Sequence, residues 1–224
     1  MRNKATIRCV LFDLDGTLAD TAPDLAGALN QTRIDDGLPA LPLNQLRPLI
    51  SQGVRGLLHA SYGLHPQDEG YGPLFQRVLQ HYSQNLCVQT RLFDGMPELL
   101  RHLETQAIPW GIVTNKHSRY TQPLVAALGL AERATSVVSG DTTPYAKPAP
   151  DPLLLAAREC GVSPAECIYL GDDERDIIAA HAAGMTSMAV RWGYLGLDKP
   201  VTEWGAHHLI DHPAEVLDYL PPAA

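Results

Sequence analysis

The segment Asp13-Leu14-Asp15-Gly16-Thr17 follows directly on a short apolar run, Ile7 to Phe12 (IRCVLF). A run of that length, stopped by acid and glycine, reads as a buried strand and not as a helix. Similar runs recur at Trp110 to Val113, Thr135 to Val138, Cys167 to Leu170 and Thr186 to Val190. Between them the apolar residues take helical spacing: Met96, Leu99, Leu100 and Leu103; then Leu124, Val125 and Leu128 before Gly129; then Leu153, Leu154 and Ala157; then Ile177, Ile178 and His181 before Gly184. Strand followed by helix, repeated, predicts an α/β fold with a Rossmann-like parallel sheet and helices on both faces.

The alternation stops between about Asp20 and Phe93, where no strand pattern is found. Leu25, Ala28, Leu29 and Thr32 suggest one amphipathic helix; Leu74, Phe75, Val78, Leu79 and Tyr82 suggest a stronger one, and Val54 to Ala60 a third after Gly53. The expected organisation is therefore a core built from residues 1–19 and 94–224 and a small helical domain, 20–93, inserted after the first strand.

With 45% hydrophobic and 19% charged residues among 224, the composition is that of an ordinary globular chain. A net charge of −8 with no run of Lys or Arg argues against nucleic acid and anionic membrane as partners. Met1-Arg2-Asn3-Lys4 is basic, but the apolar run behind it is too short for a secretory signal. No stretch of about 18 apolar residues suggests a membrane span, so a cytoplasmic location is expected. Cys9, Cys87, Cys160 and Cys167 are scattered without a CxxC pair, as reduced core thiols are. The Pro221-Pro222-Ala223-Ala224 end is expected to fray.

In an open parallel sheet, ligands bind beyond the carboxyl ends of the strands. Four polar clusters fall there: Asp13 and Asp15; Thr114 and Asn115; Lys147 in Ala146-Lys147-Pro148; and Asp172, Asp173 and Asp176. Five carboxylates in one crevice repel one another unless a cation shares the site. Hard oxygen donors without neighbouring His or Cys favour Mg²⁺. Asp13 and Asp15 can point to the same side of the chain, one as nucleophile and the other as proton carrier. Gly16 permits torsions that turn the following N–H groups toward a phosphate, and Lys147 supplies fixed positive charge.

At these residues the chain resembles the haloacid dehalogenase superfamily, in its phosphatase branch: DLDGTLADT, the strand ending VTNK, AKPAP and GDDERDIIAA are similar to its four ordered motifs. The resemblance covers essentially the whole chain. It implies that Asp13 attacks phosphorus to form an aspartyl-phosphate, while Asp15 acts as acid and then as base. Thr114 would donate to the phosphate with help from the Asn115 backbone, and Lys147 would neutralise developing charge. Mg²⁺ would be held by Asp13, the Asp15 carbonyl and Asp172, with Asp176 ordering the surroundings. Asp173 is either a further metal ligand or a helix N-terminal acid. The insertion resembles the family's small cap, hinged near Asp20 and Thr21.

The overall layout is similar to that of phosphoglycolate phosphatases. FDGMPELL, PWGIVTNK, the AVRWGYL stretch and WGAHHLIDHPAEVL are also similar to N-acetylmuramic acid 6-phosphate phosphatases. Either resemblance implies a small phosphomonoester bearing a carboxylate, and Arg55, at the start of a cap helix, is the candidate to meet it. His117 is read as loop structure with a possible substrate contact, His207-His208 as an exposed strand edge, and Ser163-Pro164-Ala165-Glu166 as a capping box. A dehalogenase would need no acid at Asp15. A phosphosugar mutase would return phosphate to a sugar, and a receiver-like signalling module would be shorter and without a cap.

Overall fold

The structure, a computed structural model, describes residues 6–197 and 199–222. The basic residues 1–4 and the chain end at 223–224 lie outside them. The strands in chain order are β1 (Cys9–Phe12), β2 (Ala19–Asp20), β3 (Arg91–Leu92), β4 (Trp110–Val113), β5 (Ser136–Val138), β6 (Cys167–Gly171), β7 (Thr186–Val190) and β8 (His208–Ile210). All five expected runs enter one sheet of order β5-β4-β1-β6-β7-β8, paired in parallel throughout. The edge strand β8 begins at the second residue of the His207-His208 pair.

The helices are α1 (Ala22–Asp35), α2 (Leu43–Leu46), α3 (Gly53–Tyr62), α4 (Tyr71–Gln84), α5 (Met96–Thr105), α6 (Ser118–Ala127), α7 (Asp151–Glu159) and α8 (Glu174–Ala183). β1 is fully buried, which is why its sequence is continuously apolar and does not alternate with polar residues. Its side chains still divide by face. Val10 and Phe12 pack with Leu99, Leu100 and Leu103 of α5 and Leu124 and Val125 of α6. Cys9 and Leu11 pack with Leu153 and Ala157 of α7 and Ala179 and Ala180 of α8. Helices therefore cover both faces, and all four cysteines are free thiols. The Ser163–Glu166 capping box forms and opens a short 3-10 turn.

Residues between β2 and β3 are helical and make their own apolar cluster, in which Leu25 and Leu29 of α1 meet Leu57 and Leu58 of α3 and Leu74 and Val78 of α4. α2 and the 3-10 turn Arg47–Gln52 carry no periodic apolar signal and were not anticipated. The two chain passages joining this cluster to the sheet pair as a short antiparallel ladder, Ala19 with Leu92 and Asp20 with Arg91. Beside it the buried Asp24 carboxylate accepts from Val88 N (2.9 Å), Gln89 N (2.9 Å), Thr90 N (2.8 Å) and Thr90 Oγ1 (2.7 Å). It thus fixes the chain where it returns from α4. The Asp20 carboxylate receives both terminal nitrogens of Arg47, at 3.0 and 2.7 Å.

Hydrogen bonds to a buried charged acceptor are worth more than neutral ones, and removing the acceptor leaves several N–H groups without a partner. Asp24→Ala is expected to cost about 3 kcal/mol. Denaturant unfolding, monitored for a shift in midpoint at unchanged slope, checks it.

Candidate active site

Parallel pairing sends the carboxyl ends of β1, β4, β5 and β6 to one edge of the sheet, and the four polar clusters arrive there together. Asp13 continues the β1 ladder, its N–H donating to Leu170 O at 2.9 Å. Its Oδ1 accepts from Leu14 N (2.7 Å) and from Lys147 Nζ (2.9 Å); among the described residues nothing donates to Oδ2. The Lys147 ammonium is buried and also meets Asp176 Oδ1 (2.7 Å), Tyr169 OH (2.8 Å) and Val113 O (3.0 Å). Its backbone is clasped by the Asn115 side chain, which donates to Lys147 O and accepts from Lys147 N, both at 2.9 Å. Asn115 is thus a clamp on the lysine loop. Thr114 is buried beside it, its hydroxyl accepting from Lys116 N at 3.1 Å.

Asp172 is held differently. Thr17 Oγ1 donates to its Oδ1 (3.0 Å) and Tyr194 N to its Oδ2 (2.8 Å), so its partners are neutral. Gly16, at φ 85°, allows the close approach: a Cβ there would lie 2.2 Å from Asp172 Oδ2. Asp13, Asp172 and Asp176 bring carboxylate oxygens within 4.8 Å of one another, all buried. Asp176 and Asp173 also close a capping box at the start of α8. The Asp173 carboxylate is taken by its neighbour Arg175, with contacts of 2.8 Å to Nε and 2.8 Å to a terminal nitrogen, which places it in the helix-capping role and outside the carboxylate cluster.

Asp15 turns its carboxylate away from that cluster. Oδ1 accepts from Lys116 Nζ (2.7 Å) and from Thr21 Oγ1 (2.5 Å). The Lys116 ammonium also stands 5.0 Å from the ring centre of Tyr82 on α4, a cation–π contact between the two parts of the chain. A second bridge runs from Arg175 to Ser51 O at 2.6 Å. The Tyr194 hydroxyl makes a third: it accepts from Thr21 N (2.8 Å) and Ala22 N (2.9 Å) and meets Asp20 Oδ1 at 3.1 Å.

Burial dominates the electrostatics. It pushes the Asp13 carboxyl up to about 7, with Asp176 and Asp15 adding to the rise and Lys147 opposing it. Burial likewise holds Asp172 well above the ordinary carboxylate range. For Lys147, burial works against the charge, but Asp13 and Asp176 override it and the ammonium is held above its usual value. Lys116 is raised in the same way, chiefly by Asp15. For Asp173 the effect of burial is outweighed by Arg175, and its carboxyl lies below the usual range.

Above this floor opens a cavity of about 500 Å³. Asp13, Asp15, Thr114 and Lys147 line its base, while Leu25, Ile50, Val54, Phe75 and Leu79 from the helical insertion line its roof. Arg55, expected to reach into it, is exposed and lies outside the lining. Val54, Leu57 and Leu58 occupy the buried side of α3, and Arg55 sits on the other. Besides Lys147 at the base, the cavity's cations are Lys116, Arg119 and Arg175, with His117, the α6 N-cap, alongside. Lys116 is the most consequential residue that sequence reasoning passed over. Its signal lay in the VTNK segment, one position beyond Asn115.

A set of buried carboxylates, a lysine ammonium and a threonine hydroxyl at one sheet edge can hold a cation and an anion face to face. Comparison with known proteins agrees with that chemistry. The model of the haloacid dehalogenase-like hydrolases matches residues 10–190. The N-acetylmuramic acid 6-phosphate phosphatase of Pseudomonas aeruginosa is 40% identical, over 96% of this chain and 95% of its own. The phosphoglycolate phosphatase of Xanthomonas campestris pv. campestris is 44% identical, over 93% and 94%. A crystal structure from Haemophilus somnus, described as a predicted phosphoglycolate phosphatase, superposes with a TM-score of 0.81 at 27% identity, covering 95% of this chain and 97% of that one. The match spans β1 through β7 and therefore every strand end that carries the site, and on it the chain is a member of the haloacid dehalogenase-like hydrolase family.

Proposed function

We propose that the chain is a magnesium-dependent phosphomonoesterase for a small acidic phosphate ester, of the phosphoglycolate phosphatase type, acting through an aspartyl-phosphate on Asp13. The observation that carries this reading is the buried Asp13 carboxylate at the cavity base, with Oδ1 held by Lys147 and Leu14 and Oδ2 left to react. Asp13 Oδ2 attacks phosphorus in line and the bond to the ester oxygen breaks. Asp15 gives its proton to the departing alkoxide, then takes one from the water that cleaves the acyl-phosphate and releases inorganic phosphate. Thr114 and Lys147 donate to the phosphoryl oxygens as charge builds on them. The 40% identical relative named for N-acetylmuramic acid 6-phosphate supports that ester as the alternative substrate.

Mg²⁺ fits the donor set: Asp13 and Asp172 offer buried carboxylate oxygens with no His or Cys in the cluster, and Asp172 has only neutral partners. The Asp15 carbonyl would complete the protein ligands, with Asp176 outside them. When bound, the ion supplies positive charge against the transferring phosphoryl group. In this reading residues 20–93 form a cap over the core of 1–19 and 94–224, and its closure shuts bulk solvent out of the site. Among the described residues no helix is long and apolar enough to cross a membrane.

Asp13→Asn is expected to lower turnover of any phosphomonoester by more than roughly 10³-fold with the fold intact. Acid-quenched enzyme should carry phosphate in the parent protein and none in the variant; retained activity removes Asp13 as nucleophile. The metal-free protein should also have a characteristic pH dependence. A carboxyl raised from 3.8 to about 7 in the folded state binds its proton more tightly there than in the unfolded chain. Its contribution to stability is complete below about pH 4 and is lost as pH rises through about 7, at up to ~1.4 kcal/mol per unit. Thermal melts in chelator should therefore fall from about pH 4 onward and level off above about pH 7. Added Mg²⁺ should raise Tm more at pH 8 than at pH 6, and Asp13→Asn should flatten the drop; a flat profile in the parent protein contradicts the assignment.

A further inference from the structure

The roof of the cavity offers recognition groups that phosphoryl chemistry leaves unused. Three of the four lysines and arginines lining the cavity already have acidic partners: Lys147 meets Asp13 and Asp176, Lys116 meets Asp15, and Arg175 meets Asp173. Among the described residues Arg119 has none. It is an exposed residue of the first turn of α6 that lines the cavity, its guanidinium 5.0 Å from the ring centre of Tyr120. Asp141, which packs on this turn, is taken by Ser118 N and Oγ at 2.7 Å each and by His117 Nε2 at 3.2 Å.

Tyr120 itself is 7% exposed, and its hydroxyl has no hydrogen-bond partner in the protein. Ser51, contributed to the same cavity by the helical insertion, has a buried hydroxyl that is likewise unpaired. A buried hydroxyl without a partner costs about 1–3 kcal/mol, and such groups are rare enough to call for a ligand or water at that spot. The remaining roof is apolar, with Ile50, Val54 and Phe75 facing the same space. At about 500 Å³ the cavity is of the size that holds ligands with a substantial organic body. A two-carbon ester would leave most of this wall against water.

From the unpaired Arg119 guanidinium, the orphaned Tyr120 and Ser51 hydroxyls and the apolar roof, we infer that this half of the cavity is the subsite for the organic part of the substrate. The substrate class it selects is a phosphorylated sugar-sized organic acid. Its carboxylate pairs with Arg119, its hydroxyl or amide groups meet Tyr120 and Ser51, and its less polar face lies against Ile50, Val54 and Phe75. The inference rests on the phosphomonoesterase reading, takes its sugar-acid alternative over phosphoglycolate, and moves carboxylate recognition from Arg55 to Arg119.

Four esters separate size from charge. N-acetylmuramic acid 6-phosphate has both sugar and carboxylate, N-acetylglucosamine 6-phosphate only the sugar, phosphoglycolate only the carboxylate, and 4-nitrophenyl phosphate neither. With the full chain and Mg²⁺, kcat/KM should be highest for the first. Arg119→Gln should lower kcat/KM for that ester roughly 10- to 100-fold, mostly through KM, as expected for loss of a charge-assisted contact. The same variant should change N-acetylglucosamine 6-phosphate and 4-nitrophenyl phosphate by less than about threefold. Tyr120→Phe should weaken both sugar esters and spare 4-nitrophenyl phosphate, while its Tm stays at or above that of the parent protein because the lost hydroxyl had no partner. Arg55→Ala should alter none of the four. A preference for phosphoglycolate over the sugar acid, or an equal loss on all esters in Arg119→Gln, overturns the subsite. If 4-nitrophenyl phosphate is still cleaved in an Asp13-dependent way, the phosphatase reading survives that result. If none of the four is turned over, both readings fall together.

Discussion

Burying the Lys147 ammonium is the condition on which the site is built. A lone ammonium taken out of water at that depth costs several kcal/mol, and the cost is offset only by close, well-formed contacts. Asp13 and Asp176 supply the opposite charge, while Tyr169 and Val113 supply neutral acceptors. Those partners come from the ends of β1, β4 and β6 and the start of α8. The lysine therefore ties four elements to one point, and its own loop is held in register by Asn115. Removing both acids would leave a buried charge without compensation, a much larger loss than the net worth of either pair.

Charge is distributed unevenly around that point. Asp13 and Asp176 share one ammonium, Asp15 has another in Lys116, and Asp173 has Arg175. Asp172 alone faces only a hydroxyl and a peptide N–H. Its carboxylate is thus the member of the group whose charge the protein does not balance internally. The imbalance lies between Gly16 and Gly193, two positions at which a side chain would collide with Asp172, so the backbone has been brought close there on both sides. Specific placement of an uncompensated charge is expensive in stability, and such expense is characteristic of sites kept for chemistry.

Much of this could be read from the residues in order. Five continuous apolar runs mark five of the six strands of the sheet because buried parallel strands need apolar side chains on both faces. The strand ends then pointed to Asp13, Thr114, Lys147 and Asp172 before any geometry was known. What escaped was of two kinds. β2, β3 and α2 are too short to show a period, and the Arg47–Gln52 turn has none. The other kind is direction. Arg55 and Arg119 are both exposed and both stand in the first turn of a helix near the cavity, yet only Arg119 lies in its lining, which the packing of the two helices decides and spacing does not report. Lys116 stands in the VTNK segment, but its pairing does not show there, because its partner Asp15 lies 101 positions away in the chain. Spacing along a chain reports faces within one element well and contacts between distant elements poorly.

The register of β1 also sets a timetable. Its Val10 pairs with Trp110 on one side and its Cys9 with Cys167 on the other. In a growing chain this central strand is made before the helical insertion and has no neighbour in the sheet until the whole of that insertion has been made. At roughly 5–20 residues per second that interval lasts several seconds, far longer than local helix formation takes. The insertion draws nearly all of its apolar cluster from its own residues and can gather during the wait. An exposed, fully apolar strand in a nascent chain is a template for wrong pairing. The acids that later do the chemistry stand immediately behind it, so the same residues that hold the site also place charge at the end of the chain's most adhesive segment.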